Sequence, residues 1–222
     1  MKATAPYAII GLGVLVMGLI AWWFGFRNTE PTIPEAPAAP DITVTEGLSI
    51  YTNGEHGFLL TYPSGAEVAE AFANPWLPEQ WSYTADQSSG SALVQITTYR
   101  VESETTYPRH FTALVRVGMS TDPGEVARCE SVREGSGETS LPDEVLGDVT
   151  FKAFSFGDAA TMRYVKGMSY RTVHEGACYA LESIAAGSSY RDEQNVTDIP
   201  QETLDNEYAR LDEIVDSFRF AR

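Results

Sequence analysis

The chain has 222 residues, 43% of them apolar and 21% charged, a balance that allows a folded core and excludes the highly charged, weakly apolar class of disordered chains. Its 31 acidic residues against 15 basic ones give a net charge of −16, and because every acid follows Arg27, the residues from 28 onward carry −18. Such a surface repels phosphate backbones, and with no basic stripe or aromatic–basic interleaving, nucleic acid is excluded as a partner.

Residues 1–27 read as an uncleaved signal anchor. Tyr7 to Phe26 is 20 residues without a charge, and at about 1.5 Å per residue that length crosses a hydrocarbon core of about 30 Å. Trp22 and Trp23 suit the membrane interface, where an amphipathic ring is apolar on one side and wet on the other. A cleaved signal would have a shorter apolar region followed by a small-residue site, whereas Arg27, Asn28 and a proline-rich run follow here. No cysteine precedes Cys129, which excludes lipid attachment near the amino terminus. Lys2 and Arg27 nearly balance across the span, so the short tail before it is expected inside and the large domain after it extracytoplasmic. The chain is then a single-pass protein whose first partner is the membrane itself.

Residues 28–47 carry prolines at 31, 34, 37 and 40 and little that packs, the composition of a stiff, extended spacer. Residues 48–222 hold no second linker and no internal repeat, and read as one domain. Within it, "LSIYTNGEHGFLLTYP" is two alternating runs around Asn53-Gly54 and Gly57, a hairpin in which Phe58, Leu60 and Tyr62 share a face. Ser64 to Phe72 is either a short capped helix, with Ser64 and Glu67 as capping box, or irregular. Strands follow at "SALVQITTYRV" and at "RHFTALVRVGMS", where Phe111, Ala113, Val115, Val117 and Met119 alternate. "DPGEVARC" predicts a short helix with Asp122 as N-cap and Pro123 at its first position. "VTFKAFSF" is another strand, and a second hairpin runs from Met162 through "HEG" to Ile184. Leu204, Tyr208, Leu211, Val215 and Phe218 then recur at helical spacing in a closing helix that docks by one face. Antiparallel hairpins with one long and some short helices make the fold class α+β, a largely antiparallel sheet flanked by helices.

The segments "YTNGEHGFLLTYPSG", "ALVRVGMSTDPGEVARC", "SYRTVHEGACYALE" and "LDEIVDSFRF" together resemble the PsbP-like superfamily over most of residues 48–220. The resemblance implies an antiparallel sheet sandwiched by helices, in proteins that serve as extracytoplasmic or lumenal accessory and protein-binding factors, generally without a catalytic centre. The matching positions are packing positions, so the resemblance assigns no functional residue. The anchor and the acidic surface set this chain apart from the soluble plant members.

Four constellations carry candidate chemistry. Cys129 and Cys178, the only cysteines, are either a disulfide, as an isolated pair outside the cytoplasm commonly is, or two buried thiols. A Cys178 thiolate with His174 as base would make a thiol enzyme. The turn decides this. A two-residue Glu175-Gly176 loop pairs His174 with Ala177 and sends Cys178 to the opposite face, whereas a three-residue loop pairs His174 with Cys178. "NPWLPEQWSY" offers Trp76, Trp81 and Tyr83 as a loop that stacks on a saccharide or anchors an envelope protein, or as a flap sealing one end of the core. Asp192 to Asp198 alternates oxygen ligands but lacks the glycine of an EF-hand turn, and Asn195-Val196-Thr197 is a glycosylation sequon by pattern. The three histidines have no ligand-like spacing, and there is no nucleophile elbow, phosphate-cradling loop or dinucleotide fingerprint. The sequence therefore implies no metal, no cofactor and no enzyme. It points to a membrane-anchored binding or accessory module, with a thiol enzyme and an assembly scaffold as alternatives.

Overall fold

The first hairpin forms where the sequence punctuates it. Strands β2 (Leu48–Asn53) and β3 (Phe58–Pro63) pair with Asn53 opposite Phe58. The Asn53 side chain closes the turn by accepting the His56 amide at 2.9 Å, and Gly57 supplies the positive φ of +60°. A short strand β1 (Thr43–Thr45) lies antiparallel on β2. The sheet thus begins before residue 48, inside the stretch expected as spacer, because Thr-Val-Thr is β-branched where the surrounding residues are proline-rich. The computed structural model describes residues 43–45, 47–72, 74, 76–85, 89–101, 110–160, 163–188 and 198–221. The anchor, nearly all of the spacer, the sequon and all of the Asp192–Asp198 stretch except its last residue lie outside these, and no helix among the described residues is long and apolar enough to cross a membrane.

The large sheet is built from β4 (Glu67–Ala69), β5 (Ser91–Val101), β6 (Phe111–Ser120), β7 (Thr139–Ser140), β8 (Glu144–Leu146), β9 (Val149–Ala160), β10 (Arg163–His174) and β11 (Ala177–Ser188). Its order is β4-β5-β6-β11-β10-β9-β7, with β8 also on β9, and every pairing is antiparallel. The ambiguous segment after Ser64 is resolved as strand, with Val68 opposite Ile96. β11 is buried along almost its whole length, which is why "ACYALESIAAGS" reads as a continuous small and apolar run rather than a clean alternation.

One face of this sheet packs on a smaller sheet, ordered β1-β2-β3-β12, and on helix α2 (Gln201–Ser217), which comes after α1 (Pro123–Arg128) in the chain. Phe58, Leu60 and Tyr62 of β3 join Leu211, Ile214 and Val215 of α2 and Phe111, Val115, Val117 and Leu181 of the large sheet in one apolar cluster. The closing helix stops one residue earlier than its apolar spacing predicts. The Thr61 amide donates to Ser217 Oγ at 2.8 Å, Phe218 turns extended yet stays fully buried, and β12 (Arg219–Phe220) pairs with β3. Phe218 stacks on Phe58 at 5.5 Å, so the helical repeat had marked a core residue beyond the helix.

The opposite face differs from the expected sandwich. It is covered by residues 74, 76–85 and 89, which lie outside any strand or helix, by the six-residue α1 with its Asp122 cap, and by the loop after α1. Two helices are present among the described residues, and only the longer covers the apolar face.

Candidate functional site

A groove of about 310 Å³ opens where α2 ceases to cover the apolar face. The helix packs chiefly on β3, β5, β6, β8 and β11, so the inner surface of β9 and β10 runs past its side. The register explains the space. Ser155, Met168 and Ser183 form one row across β9, β10 and β11, and Gly157, Lys166 and Ala185 form the next. Apart from Met168 and Lys166 these side chains are short, and a sheet of short side chains under a helix leaves volume that close packing would otherwise fill. Tyr208, Leu211 and Asp212, on one stripe of α2, make the facing wall. Its lining is predominantly apolar, with a few polar groups at the rim, as small-molecule sites usually are.

The rim is electrostatically uneven. The Lys166 ammonium sits 4.0 Å from the centre of the Tyr208 ring and makes no carboxylate ion pair among the described residues. Asp212 has its carboxyl pushed up, first by burial and then by Asp216 one turn on. Tyr170, on the same face of β10, is pushed up to about 12 by burial, with Asp212, Glu144 and Asp216 adding to it.

The other face carries a layer of buried charge. Arg116 and Glu182 are directly opposite each other on β6 and β11, and Arg116 Nε donates to Glu182 Oε2 at 2.8 Å with both side chains about 1% exposed. The covering chain is tied to this pair. Ser82 Oγ donates to Glu182 Oε1 at 2.8 Å, the Tyr83 amide donates to the same carboxylate at 3.0 Å, and Arg116 Nη1 donates to the Pro78 carbonyl at 2.9 Å. Beside it, Arg133 bridges Glu125 and Ser82, while Arg171 Nη2 donates to Glu138 at 2.9 Å and its guanidinium lies 3.8 Å from the Phe154 ring centre. Three arginines meet three glutamates, so the layer is neutral and its members hold one another and the flap in place.

The aromatic loop expected as a binding surface is divided. Trp81 is 1% exposed, packed with Ala85, Cys129, Cys178 and Ala180, and its indole N–H donates to Ser89 Oγ at 3.0 Å. Trp81 is therefore a core plug, and as a saccharide platform it is corrected: its backbone lies so close on β6 that a Cβ at Gly118 would overlap the Trp81 carbonyl. Tyr83 stacks on Phe156 at 4.5 Å. Trp76 alone is well exposed, at 41%, and its ring is engaged by His110 at 4.3 Å and Arg163 at 4.1 Å.

Cys129 and Cys178 are joined by a disulfide with Cα atoms 5.6 Å apart. The loop is the two-residue one: Glu175 and Gly176 both have positive φ and His174 pairs with Ala177. His174 lies against Phe220 on the apolar face at 3.8 Å, while Cys178 sits with Trp81 on the other. The Cys178–His174 dyad is thus not assembled, because strand alternation separates the two side chains and the sulfur is already bonded. Among the described residues no three His, Cys, Asp or Glu side chains gather to hold a metal ion.

No protein-family model matches the chain, and no curated protein matches it. Among the solved structures similar to it are these two. One is the crystal structure of LpqN, involved in cell envelope biogenesis of Mycobacterium tuberculosis, at 12% identity and TM-score 0.42, covering 79% of this chain and 91% of that one. The other is the solution structure of cyanobacterial PsbP from Synechocystis sp. PCC 6803, at 11% identity and TM-score 0.36, covering 84% and 99%.

The groove was legible only in part. Alternation through "RYVKGMSYRTVH" places Tyr164, Lys166, Met168 and Tyr170 on one side, and a lysine on the core-facing side of a strand is a signal that sequence reading passed over. In the same way Arg116 and Glu182 are charges inside otherwise uncharged strand runs, the mark of a second buried face.

Proposed function

We propose that the chain is a membrane-anchored, extracytoplasmic binding module that holds an apolar ligand of the envelope in the groove beside α2 and carries out no chemistry on it. The observation that carries this reading is the groove itself, an apolar recess on the core side of the sheet with polar groups only at its rim. The uncharged stretch from Tyr7 to Phe26 supports the tether. The Cys129–Cys178 disulfide supports an oxidising compartment.

The test is native mass spectrometry of the full chain, purified from its membrane into lipid nanodiscs. A small apolar molecule should travel with the wild-type chain and be absent from Ser183→Leu, which fills the groove from its floor. A wild-type chain that emerges bare and whose melting temperature no apolar compound raises would reject the reading.

A further inference from the structure

The groove has two features that its apolar lining does not account for. The first is an ammonium already stacked on an aromatic ring: Lys166 Nζ lies 4.0 Å from the Tyr208 ring centre. An ammonium and a π-face attract through the ring quadrupole, so this wall accommodates a cation. The second is the balance of charge at the rim. Asp212 lines the groove, makes no ion pair among the described residues, and has Asp216 beyond it on the same helix face. Glu144 lies close enough to act, with these two, on Tyr170. Lys166 and Asp212 thus line the groove together, with Asp216 and Glu144 acting on Tyr170 nearby, within a chain of net charge −16.

We infer that the ligand of this groove is an amphiphile with a single cationic head, an ammonium that takes the place of Lys166 over Tyr208 and meets the Asp212 carboxylate while its apolar body lies against Met168 and the short side chains of β9 and β11. Lys166 then acts as a tethered stand-in. It is exposed, sits on the hairpin that runs past the helix, and holds no carboxylate among the described residues that would keep it in place. It occupies the aromatic wall when the groove is empty and swings into solvent when the head arrives. An anionic head would find the reverse: one lysine in its favour, and the Asp212 carboxylate and the overall field of the chain against it. Removal of Lys166 therefore has opposite consequences for the two kinds of head, which is what makes the inference testable.

This inference rests on the groove being a ligand site, and the experiment separates the two ideas. The full chain in zwitterionic nanodiscs is titrated calorimetrically with three probes of equal chain length, octyltrimethylammonium, octanoate and octanol, with empty nanodiscs as reference. The cation should bind about tenfold more tightly than octanoate, a difference of the size that one close charge pair supplies. Asp212→Asn should weaken the cation about tenfold, and Lys166→Gln should tighten it severalfold while leaving octanol unchanged. Ser183→Leu, or Ala185→Leu should the first fail to fold, should abolish binding of all three. Octanoate binding as tightly as the cation, or Lys166→Gln weakening the cation, overturns the cationic head and leaves the groove standing. Retention of binding in both groove-filling variants, or no binding by any probe, overturns the groove reading itself.

Discussion

The two faces of the large sheet are held down in different ways. On the face toward α2, contact is between side chains such as Phe58, Leu60, Leu211, Ile214 and Phe218, all buried and apolar, and stability scales with the area removed from water. On the other face there is no comparable helix among the described residues. An irregular flap is pinned by the Trp81 plug and by the carboxylate of Glu182, and a disulfide ties the end of α1 to β11 beneath Trp81. The lesson is that chain without regular hydrogen bonding of its own can cover a sheet when the sheet presents polar anchors to it. The corresponding cost is that removing one member of a buried anchor pair strands the other.

The largest effect should follow from taking one anchor away. Glu182→Ala leaves the Arg116 guanidinium buried without its carboxylate and frees Ser82 and the Tyr83 amide, and is expected to cost about 5 kcal/mol of unfolding free energy, the upper part of the range for stranding a buried charge. Replacing both partners, Arg116→Met with Glu182→Leu, should recover most of that loss in denaturant titration followed by tryptophan fluorescence. If the double variant is as damaged as the single one, the pair is not what holds the flap.

Removing the covalent pin comes next. Cys129→Ser with Cys178→Ser opens a loop with a sequence separation of 49, for which the chain-entropy account gives about 4 kcal/mol. Loss of protection from hydrogen exchange should be concentrated in the flap and α1, and uniform loss across both faces would erase the contrast drawn above. On the apolar side Leu211→Ala should cost about 3 kcal/mol, a transfer and cavity loss with no polar component. Its cost should not vary with salt.

The smallest effect is a pH dependence. The Tyr170 phenol is raised to about 12 by burial and then by Asp212, Glu144 and Asp216, so its contribution to stability is intact below the ordinary value of 10 and is lost as pH rises through about 12. Tyr170→Phe should flatten the alkaline decline in the unfolding midpoint. Identical alkaline profiles for the two chains would show that Tyr170 is not the group responsible.

Much of the architecture was legible because local signals agreed with the fold. Asn53-Gly54 with Gly57 set the first hairpin and Asp122-Pro123 set α1, whereas the loop after His174 read equally as two or three residues until the pairing of His174 with Ala177 decided it. What escaped was set by partners distant in sequence. β12 exists because Phe58 and Leu59 offer it an edge, and no propensity in "RF" announces that. The role of Trp81 depends on a glycine in another strand, Gly118, which lets the flap lie flat. The groove arises from short side chains on three strands that coincide only after pairing, so no single segment displays it.

The pairing of β12 with β3 also governs when this molecule can become complete. Leu59 meets Arg219 and Phe58 meets Phe220, so the edge of the small sheet and the Phe58–Phe218 stack wait until the chain has emerged as far as Phe220. Contacts that span so much sequence slow folding, since the closure entropy is spent before the contact is made. For a chain synthesised amino terminus first, maturation of the domain waits until Phe220 has emerged, and until then the first hairpin remains an open template for whichever strand reaches it earliest.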